Sequence, residues 1–151
     1  VFLFLDTTKE GADAHEGQLC SRRRKWLQDE LTNAGDEPTY IFMHHPPFNI
    51  GVHYVDKIKL VEVEDFAETL KHGQNIKHIF FGHVHRMTSV SWRGIQFTSL
   101  PSLNHQIPLV PNSVRNEFCD EPPAYGVAKI EDEQLTFHFN TFMQRNGLSQ
   151  T

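Results

Sequence analysis

The chain has 151 residues, a formal net charge of −5 with histidine neutral, and 38% hydrophobic residues. That is the length of one domain with room for a core, and the composition of an ordinary globular protein. The acidic balance leaves no basic footprint for nucleic acid, and no apolar run approaches the ~20 residues of a membrane helix, so neither partner is expected.

Ten histidines is a high count, and it raises metal binding as a theme. Cys20 and Cys119 form no C-x-x-C pair, which suits reduced thiols and a cytoplasmic setting. Val1 to Leu5 is too short, and lacks the basic flank, for a signal peptide.

In chain order, Val1 to Leu5 is wholly apolar and reads as a strand buried on both faces. A chain that opens inside such a strand suggests truncation. Thr7 to Gln18 is a polar, glycine-containing loop. Ser21 is an expected N-cap, with a helix running to about Asn33 and Trp26, Leu27 and Leu31 as its buried stripe. Arg22 to Lys25 is either a solvated face or a phosphate-binding patch. Basic charge in a first turn opposes the helix dipole, at about 0.5 kcal/mol.

Tyr40 to Met43 is a β-prone run ending in His44-His45, where Pro46 and Pro47 stop the strand. Phe48 to Tyr54, with His53 in it, is expected as a loop on the rim of the site. A helix follows and ends near His72-Gly73, with Val63, Phe66 and Leu70 inward and Gly73 as C-cap. Ile76 to Phe81 is a second apolar strand. Gly82 turns the chain, and His83-Val84-His85 follows; on extended backbone both imidazoles would share one side. An isolated H-x-H also suits a plain surface loop. Here two strands each deliver histidine at their carboxyl ends, where open α/β sheets bind ligands. A crossover between parallel neighbours would bring His44, His83 and His85 together.

Beyond His85 the pattern turns to hairpins. Met87 to Trp92 and Ile95 to Leu100 flank Arg93-Gly94. Pro101 to Pro123 is a long proline-containing loop carrying His105. Ala124 to Ile130 and Leu135 to Phe142 form a second hairpin around Glu131 to Gln134, with Phe137, Phe139 and Met143 on one buried face. Residues after Arg145 read as a frayed tail. The fold class is therefore α/β, with parallel strands first and antiparallel hairpins toward the carboxyl end.

Met43-His44-His45-Pro46-Pro47 and Gly82-His83-Val84-His85 together resemble the calcineurin-like metallophosphoesterases, in their cyclic-nucleotide and glycerophosphodiester phosphodiesterase branch. Leu5-Asp6-Thr7, Gly17-Gln18-Leu19, Trp26-Leu27 and Leu103-Asn104-His105-Gln106 also match that branch. The resemblance implies part of a four-layer β-sandwich flanked by helices. It departs from the family at the start. The family's D-x-H, G-D-x-x-D and G-N-H motifs are not in place: Asp13-Ala14-His15 follows no apolar strand, and Gly35-Asp36 lacks the second aspartate. The chain thus looks like the carboxyl-terminal portion of one such domain, spanning residues 1–151.

What the resemblance implies is hydrolysis of a small phosphoester, such as a cyclic nucleotide or glycerophosphodiester, by a hydroxide bridging two divalent ions (Mn, Fe, Zn or Co). His44 and His83 would bind one ion and His85 the other. The bridging carboxylate would come from outside these residues, leaving this chain nearly inactive alone. His45 is placed behind the ligands, with direct ligation as its alternative. His105 is either a substrate contact or a satisfied loop residue, and His53 a minor substrate contact. His15, His72, His78 and His138 read as structural. Two other classes stay open, a non-catalytic metal-binding or regulatory module and an inactive fragment. Bare apolar surface at Phe2, Phe4 and Phe42 points to a homodimer or a longer chain.

Overall fold

Leu3, Ile41, Ile79 and Phe97 stand side by side in register across four strands, and none is more than 5% exposed. This row is the centre of the molecule. The computed structural model describes residues 1–11, 15–110, 115 and 117–142. Its main sheet has five strands in the order β1-β2-β3-β5-β4, where β1 is Phe2–Phe4, β2 Thr39–Met43, β3 Ile76–Phe81, β4 Thr88–Trp92 and β5 Ile95–Ser99. β1, β2, β3 and β5 run parallel, and β4 closes the edge antiparallel to β5. The expected sharing of one sheet by Val1–Leu5, Tyr40–Met43 and Lys77–Phe81 is what the structure has.

The connections before β2 and β3 are helical, as parallel neighbours require. α1 (Ser21–Ala34) joins β1 to β2, and α2 (His53–Asp56) and α3 (Val63–Leu70) join β2 to β3. Leu27 and Leu31 of α1 and Phe66 and Leu70 of α3 bury into one core with Ile41, Ile79 and Phe97. At about 25 cal/mol per Å² of apolar surface, that burial, not helix propensity, holds these short helices.

Several local expectations are corrected. Cys20, not Ser21, is the N-cap of α1, and no side chain caps that end. Trp26 is 43% exposed and stands outside the buried stripe of Leu27 and Leu31. The basic run is tied down: Arg23 pairs with Asp6, Arg24 with Asp65 and Lys25 with Asp29. His53 begins the short helix α2 and does not sit in a loop. Gly73 is no left-handed cap. A Cβ there would meet Ile76 Cδ1 at 2.7 Å, so close packing is what it serves.

The second hairpin is a separate two-stranded sheet, β6 (Ala124–Glu131) and β7 (Gln134–Thr141), turning at Asp132-Glu133. Phe137 packs its ring 5.2 Å from Phe80, but Phe139 is 38% exposed. Met143 and the tail after Arg145 lie outside the described residues, as do Asp13 and Ala14. The face of the main sheet away from the helices, which the hairpin meets at Phe80, is an aromatic ladder: Phe4 stacks on Phe42 at 4.7 Å and Phe42 on Phe80 at 4.9 Å. Phe2 and Phe4 are 57% and 68% exposed.

Candidate metal centre

β2 ends at Met43 and β3 at Phe81, so the residues that follow both emerge at one edge of the sheet. The Gly82 N–H donates to the His44 carbonyl at 3.0 Å, which continues the ladder by one bond and brings the two histidine segments together. Gly82 has no side chain for a steric reason: a Cβ there would lie 2.9 Å from His44 Nδ1. Gly17 does the same for His45, whose own Cβ would be 2.3 Å away.

The H-x-H segment is not extended. His83 and His85 have φ of 69° and 51°, in the left-handed region. Each such residue costs about 1–2 kcal/mol. Val84 between them is fully buried, and its anchorage offsets that strain. With Val84 turned into the core, both imidazoles line the same cavity, of about 550 Å³, as His44. They reach that cavity through a turn and not through strand alternation, and the tight nitrogen cluster takes in His45 where the sequence reading had His85.

His44 Nε2 and His83 Nδ1 lie 3.2 Å apart. The His45 ring centroid is 4.4 Å from that of His83. Ligand nitrogens of His44, His45 and His83 all fall within 4.8 Å of one another. His83 Nε2 is buried with no hydrogen-bond partner, an orphan among the described residues that a cation would satisfy. Burial pushes the His83 pKa down to about 3 and that of His45 to about 4, with further lowering from the neighbouring rings. Burial also lowers His44 and His85. All four are thus neutral near pH 7, the state in which imidazole binds metal.

His45 carries a partner behind it: its Nδ1 lies 2.8 Å from Thr7 Oγ1, and both residues are buried. His85 is held differently. Its Nδ1 donates to the His105 carbonyl at 2.9 Å, so Nε2 is the atom left for a ligand. The His105 ring packs 4.6 Å from His85 and 4.3 Å from Phe118. His78 bonds Thr98 Oγ1 at 2.9 Å on the aromatic side of the sheet. His53 starts α2, and His15 and His72 are exposed. No sequence signal pairs Thr7 with His45, because 38 residues separate the partners and neither position belongs to a shared periodicity.

Four imidazoles gather at the carboxyl edge of the parallel sheet of this α/β protein, one of them with a bare buried nitrogen, and three of them, His44, His45 and His83, could hold a metal ion. The chain belongs to the calcineurin-like phosphoesterase family, whose sequence model matches residues 4–87. A probable cyclic nucleotide phosphodiesterase of Rhodopseudomonas palustris is 35% identical over 92% of this chain and 52% of its own length. The glycerophosphodiester phosphodiesterase GpdQ of Enterobacter lignolyticus is 31% identical over 87% of this chain and 47% of its own. The 3',5'-cyclic adenosine monophosphate phosphodiesterase CpdA of Escherichia coli is 26% identical over 66% of this chain and 36% of its own. The chain spans about half the length of the first two, in their carboxyl-terminal part. No helix among the described residues is long and apolar enough to cross a membrane.

Proposed function

We propose that this chain is the carboxyl-terminal portion of one metallophosphoesterase domain, acting in a metal-dependent phosphodiesterase. Its substrate is a small phosphodiester of the cyclic-nucleotide or glycerophosphodiester class, the chemistry that the relatives' names carry. The observation that supports it best is the unpartnered, buried His83 Nε2 beside the nitrogens of His44 and His45.

His44 and His83 hold one divalent ion and His85, through Nε2, helps hold a second. His45 supports the pair from behind, with Thr7 fixing its ring. Two bound ions of Mn, Fe, Zn or Co would neutralise the phosphoester and acidify a water between them. The chain's own residues do the holding. Gly17 and Gly82 leave room for the rings, Val84 fixes the turn, and burial keeps the imidazoles unprotonated. The carboxylate ligands come from outside the 151 residues. His105, its ring 4.6 Å from that of His85, contacts substrate.

Cys20 and Cys119, both free, fit a cytoplasmic setting. The exposed rings of Phe2 and Phe4 are covered in solution by self-association of the isolated chain. A metal-binding module without catalysis is the second reading, favoured by the tightest cluster being all imidazole among the described residues.

The test is a comparison of the protein with its His83→Ala variant. Bound zinc after loading should fall in this chain, and in a protein extended to the relatives' length the same substitution should lower phosphodiester turnover by about a hundredfold or more. Unchanged metal content would refute the assignment of His83. Intact metal binding by a protein extended to the relatives' length, with no turnover of any phosphodiester, would favour the binding module.

A further inference from the structure

We infer that Gln106 is a positioning residue for His85, acting through the backbone carbonyl of His105. The inference rests on the reading of His85 as a metal ligand.

Gln106 is 1% exposed just after residues 101–105, which are half-exposed or exposed, an unusual place for a side-chain amide. Its burial is offset by a hydrogen bond at each of its two polar atoms. Oε1 accepts from the Ser102 N–H at 2.8 Å, and Nε2 donates to the Ser102 carbonyl at 2.7 Å. The amide thus mimics a neighbouring strand and closes residues 102–106 into a ring. Its main chain is held as well: Gln106 N–H donates to the Cys119 carbonyl at 3.2 Å, and Cys119 N–H donates back at 2.9 Å. One residue later, Arg86 donates to the Ile107 carbonyl at 2.6 Å and the Ile107 side chain is buried.

His105 sits directly before this clamp. Its carbonyl has little freedom, because the next peptide units are fixed on both strands of the loop. That carbonyl accepts from His85 Nδ1 at 2.9 Å. The bond selects the tautomer with the proton on Nδ1 and leaves Nε2 as a bare donor aimed away from the loop. His85 itself sits at positive φ on a turn with no ladder bonds of its own, so its ring orientation needs an external reference. Gln106 supplies it. Only glutamine fits: glutamate lacks the donor for the Ser102 carbonyl, asparagine is one methylene short, and methionine fills the space without either bond.

The experiment reads the ring of His85 in 15N-labelled, metal-free protein near pH 8, where long-range proton–nitrogen spectra distinguish the two neutral tautomers. In the natural protein His85 should carry its proton on Nδ1. In Gln106→Met it should become a mixture, with Gln106→Glu in between. In a protein extended to the relatives' length, affinity for the second zinc ion, measured by competition with a chelator, should fall about tenfold or more in Gln106→Met. A His85 protonated on Nε2 in the natural protein overturns the inference whether or not any variant folds. So does an unchanged tautomer in a folded Gln106→Met protein, or an affinity for the second zinc ion in the extended protein equal to that without the substitution. Failure of the natural protein to bind zinc would instead strike the metal-centre reading, since the tautomer is read without metal.

Discussion

The Nε2 of His44 and the Nδ1 of His83 meet at 3.2 Å, although 39 residues separate them. That contact exists because β2 and β3 pair in parallel with Met43 opposite Phe81, and because Gly82 lets the His44 ring pass. The meeting of these two rings is therefore set by sheet register plus one missing side chain.

Gly82→Ala follows directly. Its φ is not in the left-handed region, so the cost is steric, with the new methyl 2.9 Å from His44 Nδ1. The ring must rotate away from His83. Zinc affinity should drop by about ten- to a hundredfold, while the melting temperature changes little. Calorimetric titration beside a thermal melt checks this; equal affinity would show that His44 can move without loss.

Val84→Ala should do the reverse, harming the fold first. Val84 is fully buried and is the only residue between two histidines at positive φ. Truncation leaves a cavity, at about 2 kcal/mol, and loosens the anchor that offsets the strain. A shift in the urea midpoint without change in slope is the expected readout.

Much of this is legible in the residues. Apolar runs ended by His44-His45-Pro46 and by Gly82-His83 mark both site strands, since a buried parallel strand needs a largely apolar segment. The conformation of His83-Val84-His85 is not legible. Alternation predicts extended backbone, and only the burial of Val84 against the core makes the left-handed turn worthwhile. Trp26 escapes prediction because a helical stripe in sequence does not say how wide the covering sheet is. The Thr7–His45 and Gln106–Ser102 pairs involve polar residues that carry no periodic signal, so they appear only once the chain is folded.

His78 offers a pH test away from the cluster of His44, His45, His83 and His85. It is buried between Phe80 and Thr98, and burial lowers its pKa below the ordinary value of 6.5. The unfolded chain therefore takes up a proton near pH 6.5 that the folded chain refuses. The stability from neutral His78 is fully present above that pH and is lost as pH falls through the lower, folded value. His78→Gln keeps a partner for Thr98 but does not titrate. In metal-free protein, stability measured between pH 7.5 and 5.5 should fall less steeply in the variant. Parallel curves would mean that His78 is protonated in the fold.

Phe2 and Phe4 lead to a prediction about association. Both rings stand more than half exposed on a ladder that continues through Phe42 to Phe80. Burying one such ring is worth roughly 1.5–3 kcal/mol. The isolated chain should self-associate in sedimentation experiments. Phe4→Lys should raise the dissociation constant at least about tenfold, because a charge would have to be buried in place of an apolar ring. A monomer at high concentration, with or without the substitution, would show that this face tolerates water.

The last prediction concerns how many ions the isolated chain can hold. The tightest ligand group, among the described residues, is His44, His45 and His83, three neutral imidazoles with no carboxylate in the group. Imidazole suits zinc, whereas manganese prefers oxygen ligands. Two divalent ions about 3.5–4 Å apart repel by roughly 20 kcal/mol even at an effective dielectric of 20. Neutral ligands do nothing to offset that repulsion; a bridging carboxylate would. The chain should therefore take up one zinc ion, bind manganese poorly, and reject a second ion of either kind. Its turnover of a chromogenic phosphodiester should stay near background, since one ion cannot both neutralise the ester and acidify a shared water. Equilibrium dialysis with metal analysis, run beside the assay, decides the matter. Two equivalents of manganese bound, with turnover equal to that of a protein extended to the relatives' length, would mean that these histidines suffice and that no outside carboxylate is needed.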